Sequence, residues 1–352
     1  MKSLRFEDAL VRSRSGRTLL GPITLTVDPG TTLAACGTTG AGKSLLLELA
    51  SGIRRPDSGA VLLGDHDLHR IPPANRGIGL LTQDAALYDH LGVRANIAFG
   101  LSTKDPSRLE QAATAADCRE LLARNPRRCG TLSGGERRRV ALAKAIAPAP
   151  FCLLLDEPLA GLDPIVRQTV RSRLGALLGA SEGIAMVALH DFEDALVLGN
   201  RIAVLDEGRL LQVGPPMELM ERPDSAHIAA RLQTPPGCSL QGRIAGDEVQ
   251  LPGGRLALAE PTSLTGPVEV MIPPYTTRLS EHGLSGWVVV AIEQTRDGTD
   301  LLLSAPTDSG TDPRALLRVR REQNDSCVLG SEVTVSGTVD NRFLFASPGP
   351  PA

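Results

Sequence analysis

The sequence predicts an α/β domain on a mostly parallel sheet, followed by a small all-β domain. Two observations carry this. Unbroken apolar runs alternate with helical patterns over the first two thirds of the chain, and short β-rich runs take over after Thr234-Pro235-Pro236-Gly237. The opening runs LRFEDALV and ITLTVD alternate with period two, as half-exposed strands do, and predict an antiparallel side sheet. TTLAAC (31–36), IGLLTQ (78–83), FCLLLDEP (151–158), IAMVALHD (184–191) and RIAVLDEG (201–208) have no polar face. Such strands must be covered on both sides, which a parallel sheet achieves with crossover helices. SLLLELASGI (44–53) reads as the first of these helices. Between Asp84 and Ile146 the apolar spacing turns helical, with proline and glycine only at its joints, which predicts a helical insertion.

The prolines and glycine at 235–237 interrupt the pattern. The expected domains are therefore 1–233, with a helical subdomain at about 84–148, a linker at 234–237, and 238–352. In the last, GRIAGDEVQLP, RLALAE, VEVMIP, GWVVVAIEQT, TDLLLSA, ALLRVRR, EVTVSGTV and RFLFA predict a small β-barrel or sandwich.

Composition narrows the function classes. With 37 Lys and Arg against 40 Asp and Glu, the net charge of -3 gives no electrostatic surface for a nucleic-acid backbone, so nucleic acid is not expected as a partner. No apolar run is long enough to span a bilayer. Glu7 and Asp8 stand where a secretory signal would place its apolar stretch, which predicts a cytoplasmic chain. The six cysteines show no CxxC spacing and read as reduced, mostly buried small hydrophobes.

Gly37-Thr38-Thr39-Gly40-Ala41-Gly42-Lys43-Ser44 fits G-x-x-x-x-G-K-[ST] between a strand and a helix. The glycines let consecutive N–H groups point at phosphate oxygens, and the helix N-terminus adds a favourable dipole. Lys43 would neutralise the β- and γ-phosphates and Ser44 would ligate Mg²⁺. Downstream, Leu153-Leu154-Leu155-Asp156-Glu157 ends a buried strand in two carboxylates. Asp156 is expected in the Mg²⁺ shell and Glu157 as the base that orients and deprotonates water.

Leu132-Ser133-Gly134-Gly135-Glu136, heading an Arg-rich helix, resembles the signature motif of ATP-binding cassette (ABC) ATPases. Other motifs of that family follow in its order: Gln83 resembles the Q-loop glutamine, which would join the Mg²⁺ shell, Leu159-Ala160-Gly161-Leu162-Asp163 the D-loop, and His190 the switch histidine. The resemblance covers about residues 3–232 and implies a phosphate-loop NTPase fold of the ABC type. It implies ATP and Mg²⁺ as cofactors, and a head-to-tail homodimer in which Ser133 caps the ATP of the second copy. Two positions depart from the family. Glu136 stands where glutamine is usual, and no aromatic is available to stack adenine, where the sequence reads Val11-Arg12-Ser13-Arg14-Ser15-Gly16. Arg14 or Arg12 could lay its guanidinium plane on the base.

RGIGLLTQDAALYDHLGVRANIAFGL is similar to the Q-loop region of importer ATPases, and residues 238–347 resemble their C-terminal TOBE-like, OB-like extension. The resemblance implies a subunit peripheral on the inner face of the cell membrane. Its partners would be transmembrane permease subunits and, through them, a solute-binding protein. VEVMIPPYTTRLS, GWVVVAIEQTRDGTDLLL and VDNRFLFASPG are similar to the carbohydrate-importer extension, with the usual Arg-Pro-Glu replaced around Ile272-Pro273-Pro274. The expected solute is therefore a carbohydrate. Molybdate, polyamine, ferric iron or sulfate are the alternatives, as is a weakly hydrolysing scaffold subunit.

Overall fold

The computed structural model describes residues 2–101, 106–124, 128–232, 237–295, 298–306, 316–321 and 327–346. The chain divides into two compact units, Met1–Pro216 and Met217–Ala352.

The first unit opens with β1 (Leu4–Arg12), β2 (Thr18–Val27), β3 (Thr32–Cys36), α1 (Lys43–Ser51), β4 (Ser58–Leu63), β5 (His66–Asp67) and β6 (Ile78–Leu81). The helical insertion follows as α2 (Val93–Ile97), α3 (Pro106–Ala115), α4 (Arg119–Arg124) and α5 (Gly134–Ile146). The unit returns to β7 (Cys152–Asp156), α6 (Pro164–Gly179), β8 (Ile184–Leu189), α7 (Phe192–Leu198), β9 (Arg201–Asp206) and β10 (Arg209–Gly214). The side sheet has order β2-β1-β4-β5 and is antiparallel throughout. The main sheet has order β10-β9-β3-β8-β7-β6, parallel except for β10.

Sequence pattern and layer agree. Every residue of β3, β7 and β8 is buried, while β2 alternates. Leu33, Leu154 and Met186 of the main sheet share one core with Phe6, Ile23 and Val61 of the side sheet, and α1 adds Leu46, Leu47 and Leu49. Each such side chain, fully buried, stabilises the fold by about 1.5–3 kcal/mol relative to exposure. Among the described residues no helix is long and apolar enough to cross a membrane.

The second unit begins with α8 (Pro216–Glu221) and α9 (Ala226–Arg231). Its strands are β11 (Cys238–Ala245), β12 (Glu248–Leu251), β13 (Gly254–Leu258), β14 (Gly266–Ile272), β15 (Thr277–Thr295), β16 (Gly298–Ser304), β17 (Leu316–Arg320), β18 (Glu332–Val339) and β19 (Leu344–Ala346). They form one sheet of order β17-β16-β15-β18-β13-β12-β11-β14-β19. All nine strands send residues into a single core that includes the fully buried Trp287, so the sheet curls on itself as a small barrel-like domain does.

The division of the chain falls earlier than the linker expected at 234–237, most of which lies outside the described residues. The reason is α9. Its Ala226 and Ala229 pack with Met271 and Phe343 of the β unit, so α8 and α9 belong to that unit by packing although their spacing continues the helical pattern before them.

Candidate functional site

In an open parallel sheet, ligands bind at the carboxyl ends of the strands. Here β3 is paired with β8, β8 with β7 and β7 with β6, in registers Cys36↔Leu189, Asp156↔Ala188 and Leu81↔Leu155. Each of these strands therefore delivers the residues just beyond its end to one edge. β3 delivers Gly37 to Gly42, β8 delivers His190, β7 delivers Asp156 and Glu157, and β6 delivers Gln83.

The loop after β3 needs its glycines. A Cβ on Gly37 would lie 2.3 Å from the Leu205 carbonyl oxygen, and Gly42 has φ 99° with Leu20 Cδ1 only 2.8 Å from where its Cβ would be. Gly42 caps α1 without a side-chain hydrogen bond, so the first N–H groups of that helix have no cap to satisfy them and suit an anion. Lys43, 7% exposed, donates from Nζ to the carbonyls of Gly37 (2.8 Å) and Thr38 (3.1 Å). The Thr38 hydroxyl donates to Asp206 at 3.4 Å.

Glu157 lies between two cationic or titratable groups. Its Oε1 is 3.9 Å from Lys43 Nζ and its Oε2 is 2.8 Å from His190 Nδ1. Asp156 is buried, and that burial pushes its carboxyl above the usual aspartate value, against a hydrogen bond from Ser44. Its Oδ1 has no hydrogen-bond partner among the described residues. An orphaned buried carboxylate oxygen beside a serine hydroxyl is an all-oxygen donor set that suits Mg²⁺.

The signature segment is placed separately. Ser133 caps α5, with Gly134 and Gly135 in its first turn and Leu132 buried ahead of it. The Ser133 N–H donates to Glu136 Oε2 at 2.9 Å and the Glu136 N–H donates to Ser133 Oγ at 3.3 Å, a reciprocal capping box. No hydrogen bond or ion pair among the described residues joins Ser133 or Glu136 to Lys43, Asp156, Glu157 or His190. Asp163 caps α6, accepting from the N–H groups of Ile165 and Val166. The side chain of Gln83 is exposed, and its carbonyl accepts from Arg138. Arg14 is exposed with no hydrogen bond or ion pair among the described residues, whereas the Arg12 N–H is held by Asp57 at 2.7 Å. Of the cysteines, Cys36, Cys118, Cys152 and Cys238 are buried, and burial pushes their thiols up to about 12, which keeps them protonated.

Sequence reasoning passed over Arg138. It is 5% exposed and donates to the carbonyls of Thr82, Gln83, Asp156 and Glu157. Helical spacing was the available signal. It does not single out Arg138, because the i+3 and i+4 positions of Arg137, Arg138 and Arg139 all fall on the buried stretch Val140 to Ala143.

A family model described as ABC transporter matches residues 20–160. The chain is similar to the sn-glycerol-3-phosphate import ATP-binding protein UgpC of Jannaschia sp. (strain CCS1), 35% identical over 80% of this chain and 81% of that protein. It is also similar to the Fe(3+) ions import ATP-binding protein FbpC of Pseudomonas fluorescens, 32% identical over 97% and 98%. Among solved structures it resembles a bacterial Atm1-family ABC exporter with ATP bound, with TM-score 0.58 and 28% identity over 65% of this chain and 42% of that one. A phosphate loop, a paired-carboxylate strand and a capped signature helix, arranged on this sheet and matched over most of two import ATP-binding proteins, place the chain in the ABC transporter family, as one of its ATP-hydrolysing subunits.

Proposed function

We propose that this chain is the motor subunit of an importer. It would bind and hydrolyse ATP in a head-to-tail homodimer beneath separate permease subunits, on the inner face of the cell membrane, with a solute-binding protein feeding those subunits. One observation carries the mechanism: the Glu157 carboxylate hydrogen-bonds His190 and lies beside Lys43, next to the buried Asp156 Oδ1, which has no hydrogen-bond partner among the described residues.

The loop N–H groups and Lys43 hold the phosphates, Lys43 exchanging its bonds to the Gly37 and Thr38 carbonyls for phosphate oxygens. Ser44, Asp156 and Gln83 would hold Mg²⁺, which when bound offsets the charge on the phosphate oxygens. Glu157 accepts the proton of the attacking water, and its hydrogen bond to His190 fixes the carboxylate for that task. Ser133 of each copy would close over the ATP of the other.

The permease reading has its own support. Tyr88 and Phe99 are exposed, with ring centroids 4.4 Å apart, and Lys144 Nζ lies 4.1 Å over Tyr88. This apolar and cationic patch follows directly on the Gln83 segment, where movement at the ATP site can be felt by a partner. The finer proposal, that the solute is a carbohydrate, rests on the three C-terminal runs named above. The two relatives act for glycerol 3-phosphate and ferric ions by name, and uptake assays in a strain lacking this chain decide among these solutes.

The test of the motor is the oligomeric state of Glu157→Gln, by size-exclusion with light scattering. An Mg-ATP-dependent dimer that disappears on adding Ser133→Arg supports the sandwich. A protein that stays monomeric and binds no nucleotide removes it.

A further inference from the structure

Arg138 is the one member of the run Arg137-Arg138-Arg139 that turns inward. Arg137 pairs with Asp89 at 2.6 Å and Arg139, itself largely covered, with Glu120 at 2.9 Å, both partners being exposed carboxylates. Arg138 makes no ion pair among the described residues. Its Nη1 donates to the carbonyls of Thr82 (2.9 Å) and Gln83 (2.6 Å), and its Nη2 donates to those of Asp156 and Glu157. A guanidinium is a rigid planar fork, so four carbonyls on one fork are held in a fixed mutual geometry.

Three parts of the site meet at this group. Arg138 belongs to the helix that Ser133 caps, Thr82 and Gln83 follow the end of β6, and Asp156 and Glu157 end β7. Glu157 has φ 52°, a left-handed conformation that is unfavourable for a residue with a Cβ. Its N–H is fixed by the Ala188 carbonyl at 3.1 Å and its own carbonyl by Arg138, so the strained residue is gripped on both sides. Two of the same carbonyls also close turns: the Ala85 N–H donates to Thr82 at 3.0 Å and the Ala160 N–H to Glu157 at 3.1 Å.

We propose that Arg138 is a positioning residue for hydrolysis. Its fork locks the backbone that aims the Glu157 carboxylate to the backbone that carries Gln83, and ties both to the signature helix. A shift of the Gln83 segment is thereby passed to the base without any contact between the two side chains. The inference rests on the ATPase reading, because its consequence is a placement of the base that small displacements would spoil.

The test compares Arg138→Lys with Arg139→Lys on the same helix. Lysine keeps the charge but is a flexible point donor and cannot hold the four-carbonyl geometry. In Arg138→Lys, kcat for Mg-ATP falls at least tenfold while the dissociation constant for Mg-ATP stays within threefold of wild type; Arg139→Lys changes neither. Amide exchange at Ala85 and Ala160, read without nucleotide, quickens in Arg138→Lys alone. The exchange result stands independently of turnover, and the wild-type rate in the same assay tests the ATPase reading by itself. An unchanged kcat, unchanged exchange at both amides, or a parallel loss of binding, turnover and thermal stability overturns the proposal. If Arg138→Lys does not fold, Arg138→Gln, with two amide donors, is read in the same way. Failure of both to fold assigns Arg138 to stability alone and also overturns it.

Discussion

Both units bury carboxylates, and Asp156 of the first and Asp300 of the second are treated differently. Asp156 in the ATP-binding unit is 7% exposed, and its Oδ1 has no hydrogen-bond partner among the described residues. Asp300 in the β unit is fully buried and surrounded: the Tyr275 hydroxyl donates to it at 2.8 Å, Arg318 at 3.2 Å, and Arg320 Nε lies 2.7 Å from Oδ1, off the hydrogen-bonding direction. A buried charge answered by the protein holds a fold together, whereas one left open awaits a ligand.

The sharpest break of this comparison is to neutralise each carboxylate in turn. Asp156→Asn is expected to lower ATP turnover by about a hundredfold or more, since it removes charge from the proposed Mg²⁺ shell. Its effect on stability has the opposite sign. Burial raises the Asp156 carboxyl above its unfolded value, so the folded state favours the proton, and stability is lost as pH rises through the folded value. At neutral pH the asparagine variant, without Mg-ATP, should therefore melt no lower than wild type. Asp300→Asn should do the reverse, leaving turnover unchanged and destabilising the β unit by about 3 kcal/mol, because it removes the buried charge that faces Arg318 and Arg320. Thermal melts and phosphate release on the two variants decide. A loss of stability in Asp156→Asn, or of turnover in Asp300→Asn, would erase the distinction.

The same contrast explains what was legible in the sequence. The phosphate loop, Asp156, Glu157, His190 and Gln83 are expected as a set because phosphate and metal chemistry would demand particular residue types just beyond particular strands, and the sheet order brings the strand ends that carry them to one edge. The β unit was legible as strands, but the Asp300 network was not, because Tyr275, Asp300, Arg318 and Arg320 are related only through the pairing of β16 with β17 and the turn before β15. Arg138 was hidden for a third reason. Its partners are main-chain carbonyls, which every residue has, so no side-chain pattern points to them.

A smaller effect concerns the adenine side of the site. Exposed Arg14 stands in the stretch that lacks an aromatic. If its guanidinium stacks on the base, Arg14→Ala should raise the KM for ATP by about 2-fold to 30-fold, from roughly 0.5–2 kcal/mol of cation–π energy. The same rise should be seen for GTP, since a planar cation distinguishes bases weakly. Steady-state kinetics with both nucleotides measure it, and an unchanged KM returns Arg14 to solvent.

The smallest expected effect separates the signature helix as a fold element from its action on a second copy. The Ser133 N–H, with the Ser133 hydroxyl and Arg124, holds the Glu136 carboxyl below the usual glutamate value. A depressed carboxyl stabilises the fold above its unfolded value, and the gain is lost as pH falls through the folded one. Glu136→Gln should therefore cost about 0.5 kcal/mol at pH 7, screened as an exposed pair is. That cost should vanish in acid, below the range where an ordinary glutamate titrates. The proposed sandwich should respond in the other direction, because the carboxylate occupies the Ser133 N–H and would place negative charge where the second copy's γ-phosphate is proposed to arrive. In the Glu157→Gln background, Glu136→Gln should lower the ATP concentration for half-dimerisation by roughly 2-fold to 5-fold, the weight of one screened charge pair. A variant that melts lower yet dimerises more readily shows that Glu136 trades dimer affinity for helix stability; if both fall together, Glu136 is instead a ligand within the sandwich.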